Sequence, residues 1–190
     1  MSVTAMTELE AVNLMLTTIG EAPVNTIEGS NLLDVSIARQ VLKEVLTDTC
    51  EPGWHFNTET NVVIAPNEDG EIWVPDNALR VDTMDSSIDV VLRGKRLYDK
   101  KNHTYTFDQA LSLELVLGLE FEEVPQAVRQ YVAIRAARVF QRRVLGSDSL
   151  EALTQTDEML ALTKLQNYDT DTADYNLLTG SMDIYNIIAR

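Results

Sequence analysis

The periodicity of the chain changes twice, and these changes constrain its fold more than any other feature. Residues 8–19, 32–49 and 125–170 repeat their apolar side chains at helical spacing. Residues 54–120 break into short runs separated by turn clusters: Pro66-Asn-Glu-Asp-Gly70, Pro75-Asp-Asn77, Asp85-Ser-Ser87 and Lys100-Lys-Asn102. A helix brings residues three and four apart onto one face, and a strand brings alternate residues onto one face. The middle of the chain therefore cannot continue the structure of its ends.

The ends carry helix punctuation. Thr7-Glu8-Leu9-Glu10 is a capping-box pattern, so a helix is predicted over Glu8–Ile19, with Leu9, Val12, Leu16 and Ile19 as its buried stripe. Gly20 falls where a helix end calls for positive φ, and Pro23 prevents the helix from resuming. An ordered loop follows, with Val24 and Ile27 tucked inward. The second helix is predicted over Leu32–Thr49, capped by Ser30 or Asn31 and ended by Pro52-Gly53; Ala38, Val41, Leu42, Val45 and Leu46 form its apolar face. The third begins after Val124, with Pro125 in its first turn, and runs to about Leu145 before Gly146. The fourth starts at Ser147, Asp148 or Ser149 and continues to roughly Thr170.

Between them, Trp54–Ile64, Glu71–Val74, Ala78–Val81, Ile88–Leu92, Arg96–Tyr98, Thr104–Phe107 and Leu111–Leu119 are the expected strands of a small antiparallel sheet. The predicted fold class is α+β. A helical bundle is built from residues 1–52 plus 125–173, a β-rich subdomain is inserted at 53–124, and a tail occupies 174–190, all within one domain.

Charge narrows the partners. The chain holds 30 acidic and 15 basic residues, a formal charge of -15. Phosphate neutralisation requires clustered Lys and Arg, so a general nucleic-acid-binding face is disfavoured, and so is docking on anionic lipid. No stretch approaches the roughly 20 apolar residues of a membrane helix, and the first residues lack a secretory pattern. Cys50 stands alone, and His55 and His103 are far apart, so neither a disulfide nor a Cys/His metal site is expected. The charge is uneven: residues 125–146 hold 5 arginines and no acid, and the other segments are all net acidic.

On a helical wheel Arg135, Arg138 and Arg142 fall within about 60° of each other, with Tyr131 beside them. Val128, Val132, Ala136, Val139 and Phe140 form an apolar arc, extended by Ala133, Ala137 and Val144. Such a helix is packed on several sides. Its arginines have three possible uses: pairing with the chain's own carboxylates, meeting the acidic face of an adjacent copy, or touching phosphate. Tyr131, Arg135, Arg138 and Arg142 are thus the subunit-interface candidates. The tail is the second candidate surface, because Tyr175, Leu177, Leu178, Ile184, Tyr185, Ile187 and Ile188 are apolar or aromatic without helical punctuation. It either folds back on its own core or orders on a partner at an entropic cost.

Catalytic signals are weak. There is no Gly-x-Ser-x-Gly, Walker or Gly-x-Gly-x-x-Gly motif. Asp169-Thr-Asp171 and Glu68-Asp69 lack EF-hand spacing. Cys50 lies near a helix C-terminus, where the dipole disfavours a thiolate. No catalytic, cofactor-binding or metal residue is assigned. Among so many carboxylates chance pairs are expected, and glycan hydrolysis, which needs two, is carried only as the alternative.

Ala11-Val-Asn-Leu-Met-Leu-Thr-Thr-Ile-Gly-Glu-Ala-Pro-Val-Asn-Thr-Ile-Glu-Gly29 strongly resembles the N-terminal signature of the tail tubular protein A family, the head-to-tail adaptors of short-tailed bacteriophages. Gly53-Trp54-His55-Phe56-Asn57 resembles that family's next block. Val124-Pro125 with Arg129, Tyr131, Arg135, Ala136, Arg138, Phe140, Arg143 and Gly146 resembles the third, and Tyr175-Asn176-Leu177-Leu178 the C-terminal one. The resemblance implies a structural, non-enzymatic protein of the virion tail, assembled in the host cytoplasm. It implies a dodecameric ring between the portal protein and the tail nozzle protein (tail tubular protein B), which supports the tail fibre and continues the DNA channel. DNA would pass through without specific binding. It also makes Tyr175, Asn176, Leu177, Leu178, Ile184, Tyr185, Ile187 and Ile188 portal-binding candidates.

Overall fold

The computed structural model describes residues 4–28, 32–146 and 148–173, excluding the side chains of 148–154. The described elements are α1 (Glu8–Thr18), α2 (Leu33–Cys50), β1 (Thr58–Ile64), β2 (Ala78–Thr83), β3 (Val90–Arg93), β4 (Arg96–Asp99), β5 (Leu111–Leu117), α3 (Gln126–Val144) and α4 (Asp148–Thr172). This is the expected α+β class, with helices flanking a β-rich insertion.

The capping box of α1 forms as its residue types predict. Glu10 N donates to Thr7 Oγ1 at 3.2 Å, and Thr7 N donates to Glu10 Oε2 at 2.8 Å. At the other end Gly20 sits at φ 83°; its N–H reaches Thr17 O, and the Glu21 N–H reaches Leu16 O. Those two bonds form a Schellman motif, which satisfies carbonyls that the helix leaves open. Asn13 then ties the following loop to α1, exchanging two hydrogen bonds with the Val24 backbone at 2.7 and 2.9 Å. Val24 and Ile27 pack against the helical core. The helix-two caps expected at Ser30 and Asn31 lie outside the described residues; α2 begins at Leu33 after an extended Leu32.

α3 occupies the centre and packs against α1, α2 and α4. Val128, Val132, Ala133, Ala136 and Phe140 are fully buried. The alanines keep its surface low, so neighbouring helices can approach closely. Two expectations need correction. Pro125 is the N-cap and lies outside the first turn: its ψ of 156° is extended, and it contributes only the carbonyl that Arg129 N–H reaches at 3.0 Å. Val144 is exposed and does not extend the apolar arc, because α3 ends there.

The insertion forms two small antiparallel sheets, ordered β1-β5-β2 and β3-β4. β5 is central, with Leu111, Leu113 and Leu115 buried on one face. β1 bulges between Glu59 and Val62, where Asn61 takes φ 60°. Ile72, Val74, Val81, Val90, Leu97 and Phe107 complete a second hydrophobic cluster under the sheets. The runs expected as strands at Glu71–Val74 and Thr104–Phe107 make only isolated bridges, Glu71↔Thr106, Trp73↔Arg96 and Asp99↔Thr104. The first run divides its bridges between two partners, Glu71 to Thr106 and Trp73 to Arg96, so neither pairing extends into a ladder.

Side chains stitch the insertion to the bundle. Buried Asn57 donates through Nδ2 to Cys50 O at 2.9 Å and to Leu117 O at 2.8 Å, joining the end of α2 to the end of β5. Trp54 Nε1 donates to Thr49 O at 2.6 Å, and Trp54, Phe56, Leu79 and Leu119 pack against the helical cluster.

Candidate assembly surfaces

The arginine stripe of α3 lies along the seam with α4. Arg138 Nη1 donates to Glu158 Oε2 at 2.7 Å. Arg135 approaches the other oxygen of Glu158 at 4.0 Å and Asp48 of α2 at 3.9 Å, and donates to the Tyr131 hydroxyl at 3.2 Å. Arg135, Arg138, Val139, Arg142 and Glu158 line a small surface cavity of about 170 Å³. Tyr131 is itself buried and meets this surface through the hydroxyl that accepts from Arg135. Arg143 pairs with Glu44 of α2 at 2.7 Å, and that hydrogen bond holds the Glu44 carboxyl below its ordinary range.

The fifth arginine of the helix has a different task. Arg129 donates to Val124 O at 2.8 Å, to Met6 O at 2.9 Å and to Glu122 O. Met6 N in turn donates to Gln126 Oε1 at 2.7 Å, and Glu8 N to Glu122 Oε1 at 3.2 Å. One planar guanidinium thus collects three carbonyls and fastens the segment before α1 to the start of α3.

A larger cleft of about 420 Å³ lies where α4 ends against the insertion, between Trp54, His55, Arg80, Glu114, Asp169 and Ala173. Several of its polar groups are engaged. Arg80 donates to Pro52 O at 3.0 Å and faces Glu114 at 3.7 Å, and His55 N donates to Asp169 Oδ1 at 2.8 Å. The portal-binding candidates Tyr175, Asn176, Leu177, Leu178, Ile184, Tyr185, Ile187 and Ile188 lie outside the described residues, just beyond Ala173. Burial pushes the Cys50 thiol up, away from a reactive thiolate. Among the described residues no three His, Cys, Asp or Glu side chains are gathered to hold a metal ion.

Sequence reasoning found the arginines but missed their acceptors. Glu158 is 20 residues from Arg138 and becomes its neighbour only because α4 folds back along α3. Asp48 and Glu44 come from a helix separated from α3 by the whole insertion.

A family model described as Tail tubular protein matches residues 9–175, from the first turn of α1 past the end of α4. The chain belongs to the tail tubular protein family. Tail tubular protein A of Klebsiella phage KP34 is 34% identical over 144 residues, covering 76% of each chain. This tail tubular protein is therefore a structural component of the bacteriophage virion tail. No helix among its described residues is long and apolar enough to cross a membrane. The arginine stripe, the Asn57 staple and Arg129 lie within the matched span, whereas Met6, which Arg129 holds, precedes it.

Proposed function

We propose that this tail tubular protein is a head-to-tail adaptor. Copies form a dodecameric ring between the portal and the nozzle protein, tail tubular protein B, continuing the DNA ejection channel and supporting attachment of the tail fibre. The likeness to tail tubular protein A over 76% of both chains carries this reading. The residues beyond Ala173, with Tyr175, Asn176, Leu177, Leu178, Ile184, Tyr185, Ile187 and Ile188, grip the portal. Arg135, Arg138 and Arg142 contribute to the contact between copies from the open side of their cavity, with Tyr131 supporting Arg135 from beneath. The formal charge of -15 keeps DNA from adhering to the conduit wall.

Electron microscopy of purified portal mixed with this protein tests the reading. A ring of added density on the nozzle-facing side of the portal is the expected result, and its absence at saturating protein overturns the proposal. A map of the ring with a net basic lumen would overturn the electrostatic part alone. The glycan hydrolase alternative receives no support from the family comparison and is not advanced.

A further inference from the structure

The outer face of the β insertion carries a second arginine cluster, interleaved with aromatic rings. β4 alternates strictly: Leu97 and Asp99 are buried, so Arg96 and Tyr98 turn outward. Residues 71–74 alternate in the same way, with Ile72 and Val74 buried beneath Glu71 and Trp73. Arg93 is the cross-strand partner of Arg96 and shares their face.

The groups hold one another. The Arg93 guanidinium lies 3.6 Å from the centre of the Tyr98 ring. Tyr98 meets Tyr105 edge to face at 4.9 Å. The Arg96 guanidinium lies 4.5 Å from the Tyr105 ring and 5.7 Å from Trp73. Glu71 accepts from Arg96 and, at 3.0 Å, from Trp73 Nε1. A face already ordered in this way loses little entropy when a partner arrives.

Its chemistry selects the kind of partner. Stacking successive nucleic-acid bases needs a row of open rings, but Arg93 lies over Tyr98 and Arg96 over Tyr105, which leaves Trp73 as the open ring of the three. A nucleic-acid backbone needs a track of many uncommitted cations, but Lys95, Arg96 and Lys100 are matched by Asp76, Glu71 and Asp89. What remains is an indole 49% exposed, with Arg93 and Lys101 both exposed and making no ion pair among the described residues. Trp, Tyr and Arg are the residues enriched at the centres of protein–protein contacts.

We propose that this face, with Arg93, Trp73, Tyr98 and Tyr105 at its centre, docks on the acidic surface of an adjacent copy of the same chain. This inference rests on the ring reading. A ring uses a head-to-tail contact between two unlike faces, so an arginine-aromatic face requires an anionic one on the opposite side of the protomer. The chain supplies it in excess. Residues 1–51 hold 8 acids against 2 bases; Glu21 and Glu28, in the loop between α1 and α2, are exposed without an ion pair among the described residues, and so is Glu51 at the far end of α2.

The test uses the full chain assembled on purified portal, with a photo-crosslinking benzoylphenylalanine in place of Trp73 and, separately, Arg93→Glu and Arg93→Lys. Irradiation is expected to join two copies of this chain, with the crosslink mapping to an acidic segment. Native mass spectrometry should show about tenfold weaker ring occupancy for Arg93→Glu and near-normal occupancy for Arg93→Lys. A crosslink to portal protein in place of one between copies overturns the inference. So does an intact Arg93→Glu ring with no crosslink between copies. If Arg93→Glu melts early, the crosslink at position 73 decides. If the unmodified chain forms no ring on portal, the ring reading itself fails.

Discussion

Arg138 and Glu158 meet at 2.7 Å across the seam between α3 and α4, each side chain about four-fifths buried. Sequestered from water, the pair fixes the register of the two helices more than it adds net stability. Removing one partner leaves the other charge largely buried without its 2.7 Å hydrogen bond.

Arg138→Ala or Glu158→Ala should therefore destabilise the isolated chain by roughly 2 kcal/mol, somewhat below the figure for a fully buried pair. The double variant should lose less than the sum of the two. Urea melts of the four-member cycle measure this. The same Arg138→Ala protein, mixed with portal, separates the two uses of the stripe: an unchanged ring with lowered stability assigns Arg138 to internal packing, and a lost ring with unchanged stability assigns it to the contact between copies.

Gly53 and Gly20 both sit at φ near 80°, but their surroundings differ. A Cβ on Gly53 would lie 2.9 Å from Val116 Cγ2 and 3.0 Å from Arg80 Nη2, whereas at Gly20 nothing lies within 4 Å. Gly20→Ala should cost only the left-handed backbone penalty, about 1 kcal/mol. Gly53→Ala should cost about 3 kcal/mol, because the junction between bundle and insertion must also shift. Thermal melting of the two variants side by side tests the difference.

Arg129→Lys keeps the charge but loses the fork that spans three carbonyls. The expected loss is about 1–2 kcal/mol. Hydrogen exchange should accelerate at residues 4–7 and in the first turn of α3, with the β insertion unaffected.

Asp99 accepts from Lys101 N at 2.8 Å, Asn102 N at 2.9 Å and Asn102 Nδ2 at 2.8 Å. These bonds, led by those from Asn102, hold its carboxyl below the ordinary range. The unfolded chain therefore binds this proton more readily. The stabilisation is complete above the usual carboxylate pKa of about 4 and is lost as pH falls through the lower folded value. Asp99→Asn should flatten the decline in unfolding free energy below about pH 4, measured by urea melts from roughly pH 6 to 2.5.

Elements whose signals are local were legible in the sequence. Thr7 with Glu10 and Gly20 with Pro23 bounded α1 to within a residue, because capping chemistry acts over one helical turn. The apolar arc of α3 correctly implied packing on several sides. The weaker signals lay in the insertion, where Glu71–Val74 has strand composition but makes only single bridges. Whether such a run joins a ladder depends on the partner that the rest of the chain brings beside it. The arginine-aromatic face was hidden for a related reason. Averaged over 52–124, the hairpin's cations vanish into a net acidic segment, although Arg-Gly-Lys-Arg-Leu-Tyr-Asp-Lys-Lys at 93–101 could have exposed them.

By itself, the sequence determined where helices begin and end, that the middle of the chain is β-rich, and which helix collects the positive charge. Those properties follow from neighbours a few residues apart. Only the tertiary structure decided what the charges meet. Arg138 finds Glu158, Arg143 finds Glu44, and Arg93 is left at the surface over Tyr98. Charge pairing acts through space over a few ångströms, and the chain reaches those distances only after its two hydrophobic clusters have packed.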